Sequence, residues 1–334
     1  MRSEFSGYFP VSEAQLNKLW AGALIVVDAN TLLNLYRYNE GAREAMLRAL
    51  EILKDRLWTP YQVAHEFHTN RPSVIRTQEQ VPTVIRESLD QISNYIKSQL
   101  GPHKRNGVLD VVDMTERLED TVSDLRSSAA ESKFGSTPQS DRIVERLADI
   151  LDGRTGPKFS TKQHAIEVEA GHQRIAENTP PGLRDANKAG DKAVGDYLLW
   201  RQLMNFSKSQ GHDVLSVTDD RKDDWWWTQA SYTLGPLPAL REEFARETGQ
   251  FIWFYRPARF LAELRTRNLR QVSDDDISAV RETSDRSGVS HRERPISASS
   301  LVVMSREVGQ PGDWWPAADG GVSAVVIVEV QPAG

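Results

Sequence analysis

Three short apolar runs constrain this chain more than any other feature: "ALIVVDAN" at 23–30, "DVLSVT" at 213–218 and "FIWFYR" at 251–256. Each is rich in β-branched or aromatic residues and too short to be a buried helix, so each reads as a strand covered on both faces. Segments of helical period lie between them. "EGAREAMLRALEILKD" follows the first run, "DYLLWRQLMNFSKSQ" ends at Gly211 ahead of the second, and "PLPALREEFARETG" leads to the third. A fourth, weaker run, "RLWTP", has Pro60 opening the helix "YQVAHEFHTNR". Strands alternating with helices predict a mainly parallel sheet with helices on both sides.

From about residue 72 to about 180 the chain is polar with helical periodicity, broken at "GPHKRNG", "KFGSTPQS" and "LDGRTGPK". This predicts a helical insertion within a domain spanning 1–268. Residues 269–334 read as a linker, "SDDDISAVRETSDRSGVSHRERPISASS", followed by a small extension whose alternation in "GVSAVVIVEVQPAG" suits β-structure.

Composition narrows the chemistry. The chain has no cysteine, which excludes disulfides and thiolate metal sites and suits a cytoplasmic setting. The N-terminus lacks a secretory pattern, and no run approaches the roughly 18 apolar residues that span a bilayer, so no membrane partner is expected. A net charge of −6 means that nucleic acid can be bound only through local basic patches or metal. Basic stretches occur in "KSQLGPHKRNG" and "FYRPARFLAELRTRNLR"; the same composition suits a charged helix face with i, i+4 pairs.

The acidic residues carry the functional signal. Ligands of an open parallel sheet sit at the carboxyl ends of its strands. Asp28 ends the first run, Asp219 and Asp220 end the second, Asp196 opens the helix before the second, and Glu66 lies one turn inside the helix after "LWTP". A right-handed winding brings Asp28, Glu66, Asp196 and Asp220 to one rim. Like charges so close need a compensating cation, and carboxylate oxygens suit Mg²⁺ or Mn²⁺. Two such ions activate a water and stabilise the leaving oxygen in phosphodiester cleavage. Each acid has a plainer reading too: Asp28 as a helix N-cap, Glu66 and Asp196 as charges suited to a helix dipole, the 219–224 group as a solvated turn. His65 and His68 do not form the HExxH zinc signature, because Phe67 and His68 break the i, i+4 spacing. Trp225 and Trp226 read as core-edge residues rather than base-stacking platforms.

The run "IVVDANTLLNLYRY" resembles the first motif of PIN-like nucleases, "TPYQVAHEFHTNR" the second, "GDYLLWRQL" the third and "VTDDRKDDWW" the fourth. With "PPGLRDANK", the set resembles one large bacterial PIN-like branch with a helical insertion between the second and third motifs, over residues 20 to 265. The resemblance implies an α/β, three-layer fold. It implies metal ligation by Asp28, Glu66, Asp196 and Asp220, with Asp219 and Asp224 as further metal positions. It implies that Asn30, Thr31 and Thr218 orient the ligands, and that Lys188, Arg71 and Lys222 contact substrate. Asp185 and Lys188 match positions of the "PPG" segment. The activity implied is a Mg²⁺- or Mn²⁺-dependent nuclease, RNA favoured over DNA, in stress response or phage defence. The insertion would serve as a lid, a homo-oligomer contact or a regulatory surface. Two alternatives stand beside this: a PIN-like module that binds without cutting, and a phosphatase of the haloacid-dehalogenase type. The latter needs a second aspartate where this chain has Asn30 and has no counterpart of Glu66.

Overall fold

A computed structural model describes residues 1–287 apart from 2–4, 104, 106, 107, 109, 132–136, 138, 230, 231 and 268–271. The expected β-extension "GVSAVVIVEVQPAG" lies outside the described residues. In chain order the elements are α1 (Glu13–Gly22), β1 (Leu24–Val27), α2 (Ala29–Asn34), α3 (Glu40–Ile52), α4 (Tyr61–Leu100) and α5 (Val111–Glu131). They continue with α6 (Arg142–Leu151), α7 (Thr161–Ala176), α8 (Gly195–Gln210), β2 (Val214–Val217), β3 (Trp226–Gln229) and β4 (Tyr232–Pro236). The last are α9 (Pro238–Thr248), β5 (Ile252–Tyr255), α10 (Pro257–Thr266) and α11 (Asp274–Ser287).

The main sheet has the order β1-β2-β5, all parallel, with Leu24 opposite Val214 and Val214 opposite Ile252. The "RLWTP" run is not a full strand; it adds a parallel bridge at Leu57 to Ile25 on the other edge of β1. The chain therefore leaves β1 toward one edge and returns to the opposite side at β2. This is the reversal of winding at which parallel α/β sheets hold ligands.

Period-2 alternation divides the strands between two layers. Ile25, Val27, Leu215, Val217 and Tyr255 join the core beneath α2, α3, α6, α10 and α11. Val26, Val214, Ile252 and Phe254 join a second cluster with Trp200, Leu203 and Met204 of α8, and Leu240 and Phe244 of α9. The sheet is thus covered on both faces, giving the expected three layers.

Three local expectations need correction. The helix read as ending before Pro72 continues through Pro72 and Pro82 to Leu100. A proline inside a helix costs about 3 kcal/mol through its missing N–H and its ring, and packing against α2, α8 and α5 outweighs that local preference. Residues 274–287, read as linker, form α11, which buries Ile277 and Val280 against the main core. A β3–β4 hairpin not visible in the strand pattern follows the acidic run. Its Gly235, at φ 153°, lies where a Cβ would be 2.9 Å from the Trp253 ring.

Candidate active site

The β1 terminus is fixed first. Asp28 is the N-cap of α2, its Oδ1 accepting from the Thr31 N–H at 2.7 Å. Its Oδ2 accepts from the Thr218 hydroxyl at 2.6 Å, at the end of the neighbouring strand. The Thr218 hydroxyl oxygen in turn accepts from the Asp220 N–H at 3.0 Å. Thr31 and Thr218 are both buried, and each holds Asp28 directly. Asn30 is exposed and lines the cleft, with no hydrogen bond to Asp28. Burial pushes the Asp28 carboxyl up to about 7 against the lowering effect of these hydrogen bonds.

Beside this junction lies a cleft of about 510 Å³ whose lining includes Glu66, Asp185, Asp196, Asp220, Lys188 and Lys222. Glu66 enters from α4 and accepts from Gln62 Nε2 at 2.7 Å. Asp196 enters from the first turn of α8, where Gly195 permits a close approach of the two helices. A Cβ at 195 would lie 3.1 Å from Glu66 Oε1. Burial raises the pKa of Glu66 and of Asp196, and each has a neighbouring carboxylate that adds to the rise.

Lys222 stands at the centre. Its Nζ lies 2.8 Å from Asp196 Oδ2, 3.1 Å from Asp185 Oδ2 and 3.2 Å from Asp220 Oδ2. Burial opposes its charge, but Asp196, Asp220 and Asp185 outweigh burial and raise its pKa. Asp185 is also held by Lys188 at 2.6 Å, and the two lysines outweigh burial to keep its carboxyl below the usual range. Lys222, expected to contact substrate, is therefore an internal counterion. The signal was present in "DDRKDD", where four carboxylates flank Arg221 and Lys222 and require charge compensation. Asp185, noted only as a segment match, proves to be part of the cluster.

Other expected residues are directed elsewhere. Asp219 turns to Asn34, whose Nδ2 donates at 2.6 Å, and does not line the cleft. Asp224 is buried and accepts from the N–H groups of Gly182 (2.9 Å) and Leu183 (2.8 Å), anchoring the "PPG" turn. Arg71 donates to Asp141 at 3.3 Å, an acceptor it shares with the Tyr36 hydroxyl, and it too is absent from the cleft wall. In each case a nearby partner inside the fold captured the charge. Trp225 and Trp226 are core residues against Phe254. The arginine-rich α10 region is largely consumed internally, with Glu263 pairing both Arg259 and Arg267, and Arg256 over the Trp226 ring.

Among the described residues, no three His, Asp or Glu side chains stand close enough together to hold a metal ion as they are. The Lys222 ammonium occupies the point on which three carboxylates converge. Counting Asp28 behind the wall, six carboxyl groups (Asp28, Glu66, Asp185, Asp191, Asp196, Asp220) stand against four ammonium groups (Lys158, Lys188, Lys192, Lys222). An all-oxygen donor set with excess negative charge fits a hard divalent cation, provided Lys222 yields its place. Glu66, Asp196 and Asp220 face the cleft, while Asp28 sits one hydroxyl behind it, through Thr218.

Among the described residues, no helix is long and apolar enough to cross a membrane. No curated protein and no solved structure matches this chain. Residues 24–240 match a family model described as a PIN like domain, a span running from β1 into α9 and carrying Asp28, Glu66, Asp185, Asp196 and Asp220. The chain therefore belongs to the PIN-like domain family, a family of the nuclease type whose members generally bind nucleic acid.

Proposed function

We propose that this protein is a Mg²⁺- or Mn²⁺-dependent endonuclease that hydrolyses phosphodiester bonds, with RNA favoured over DNA as substrate. The observation that carries the reading is the convergence of Asp185, Asp196 and Asp220, from three separate segments, on one positive charge at the rim of the sheet. Bound there, a divalent ion supplies an activated water and charge neutralisation at phosphate. Glu66, Asp196 and Asp220 would hold the ion. Asp28 positions the Asp220 backbone through Thr218 and offers a carboxylate that a nearby cation would return to its ionised form. Lys188, exposed beside Asp185, would meet substrate phosphate.

The whole set of acidic positions favours an enzyme over a module that binds without cutting. A role in stress response or phage defence, and regulation through the α4–α5 arm, belong to the same proposal. The test is cleavage of labelled RNA and DNA with Mn²⁺ by the wild type, Asp28→Asn and Asp220→Asn. The expected outcome is cleavage by wild type and a loss of at least about 100-fold in both variants. Undiminished cleavage in both rejects the site, and no cleavage of any substrate by the wild type favours the binding module.

A further inference from the structure

The cleft does not end at Lys158. A recess of about 460 Å³ continues from it, sharing Tyr61, Lys158, Phe159 and Gln202 as common walls. Its character differs from the carboxylate end. Trp58 and Phe206 stack with centroids 4.0 Å apart and planes 2° from parallel. Tyr61, at the junction, stacks on His65 with an interplanar angle of 6°, and Lys158 Nζ lies 5.9 Å from the Tyr61 ring centre. Side-chain amides of Gln163 and Asn205 complete the wall.

The strap carrying Lys158 and Phe159 is fixed by backbone pairing. The Thr59 N–H donates to Arg154 O at 2.9 Å, and the Gly156 N–H donates to Thr59 O at 2.8 Å. Gly156 lies so close to Trp58 that a Cβ there would be 2.6 Å from the ring. Gln202 is likewise fixed, its Oε1 accepting from the Gln62 N–H at 2.9 Å. The recess is therefore a held shape, its wall carrying the Phe159 ring and the Asn205 amide, with a lysine at the junction with the acidic cleft.

We propose that this recess is a nucleobase pocket, which takes one unpaired base of a single-stranded nucleic acid whose backbone passes Lys158 into the carboxylate cleft. The proposal rests on the nucleic-acid reading of that cleft. Trp58 and Phe206 cover each other's faces, so the ring offered to a base is that of Phe159, half-buried in the wall shared by cleft and recess. An aromatic ring suits a base face, and amide side chains pair with base edges. Bases stacked inside a duplex do not offer these faces, so the pocket selects single strands. Asn205, exposed on α8 at the recess, is the residue placed to read the base edge.

The test measures binding of fluorescent 12-mers of U, A and C, as RNA and as DNA, and of a blunt duplex, to the full chain in EDTA. Expected are tighter binding of single strands than duplex and a weakening of roughly 5- to 150-fold in Phe159→Ala, the range for loss of one base-stacking ring. Phe159→Trp should retain affinity within about twofold, which separates loss of stacking from misfolding, and Asn205→Ala should narrow the spread among the three bases. The RNA and DNA arms decide which strand is the natural occupant. Wild-type protein that does not prefer single strands, or Phe159→Ala that binds like wild type, overturns the pocket. Because no metal is present, these readings are independent of cleavage. A wild type that binds as described but never cuts rejects the nuclease and leaves the pocket; one that cuts with Phe159→Ala unaffected rejects the pocket alone.

Discussion

Lys222 Nζ lies 2.8 Å from the Asp196 carboxylate, a contact that joins the loop after β2 to the first turn of α8. The same nitrogen reaches Asp185 and Asp220, so one ammonium neutralises part of a cluster that folding would otherwise leave strongly repulsive. Breaking a buried pair by removing one partner leaves the other charge uncompensated.

Replacement of Lys222 by alanine is therefore expected to destabilise the protein by about 2–4 kcal/mol at pH 7 without divalent ions. That is less than a fully buried site would lose, because 25% of the side chain is exposed. Millimolar Mn²⁺ should raise the melting temperature of the variant more than that of wild type, since a divalent cation then has the position to itself. Thermal melts with and without Mn²⁺ read both effects.

Asp28 gives a pH dependence of definite sign. Its carboxyl is pushed up to about 7 in the fold, chiefly by burial, from 3.8 in the unfolded chain. Between those values the unfolded chain has released a proton that the folded chain retains, so this group's contribution to stability falls as pH rises from about 4 to about 7. The loss is at most about 4 kcal/mol. Asp28→Asn removes it, so the variant's melting temperature should exceed wild type by a margin that grows from pH 5 to pH 8 in metal-free buffer.

Asp224 anchors the turn at Gly182 through its Oδ2. Truncation to alanine frees the Gly182 and Leu183 N–H groups that its Oδ2 accepts. A loss of about 2–3 kcal/mol is expected, since these are hydrogen bonds to a carboxylate. Urea denaturation measures it, and metal affinity should change far less than in Asp220→Asn.

Gly195 separates packing from chemistry. An alanine there improves helix propensity by up to about 1 kcal/mol, while its Cβ presses on Glu66 Oε1 at 3.1 Å. Gly195→Ala should keep its stability within about 1 kcal/mol of wild type and lose at least about tenfold in cleavage rate, because small displacements of a positioned group are costly in rate.

Much of this arrangement was legible in the sequence. The short runs that form strands 24–27, 214–217 and 252–255 read as strands of a covered sheet, and the positions of Asp28, Asp196 and Asp220 follow from where those elements begin and end. What the sequence did not show was the surroundings of residues whose partner is distant in the chain. Asp219 is claimed by Asn34, Arg71 by Asp141 and Asp224 by the turn at Gly182, and no periodicity encodes such pairings. Pro72 and Pro82 inside α4 were illegible for a related reason, since packing overrode local preference.

Diffraction from a crystal soaked in Mn²⁺, with data collected for its anomalous signal, shows whether these carboxylates hold a cation. Ion density is expected within about 2.0–2.4 Å of carboxylate oxygens of Asp196 and Asp220, with the Lys222 ammonium displaced from them. Density elsewhere, or none while Lys222 keeps Asp185, Asp196 and Asp220, would contradict that expectation.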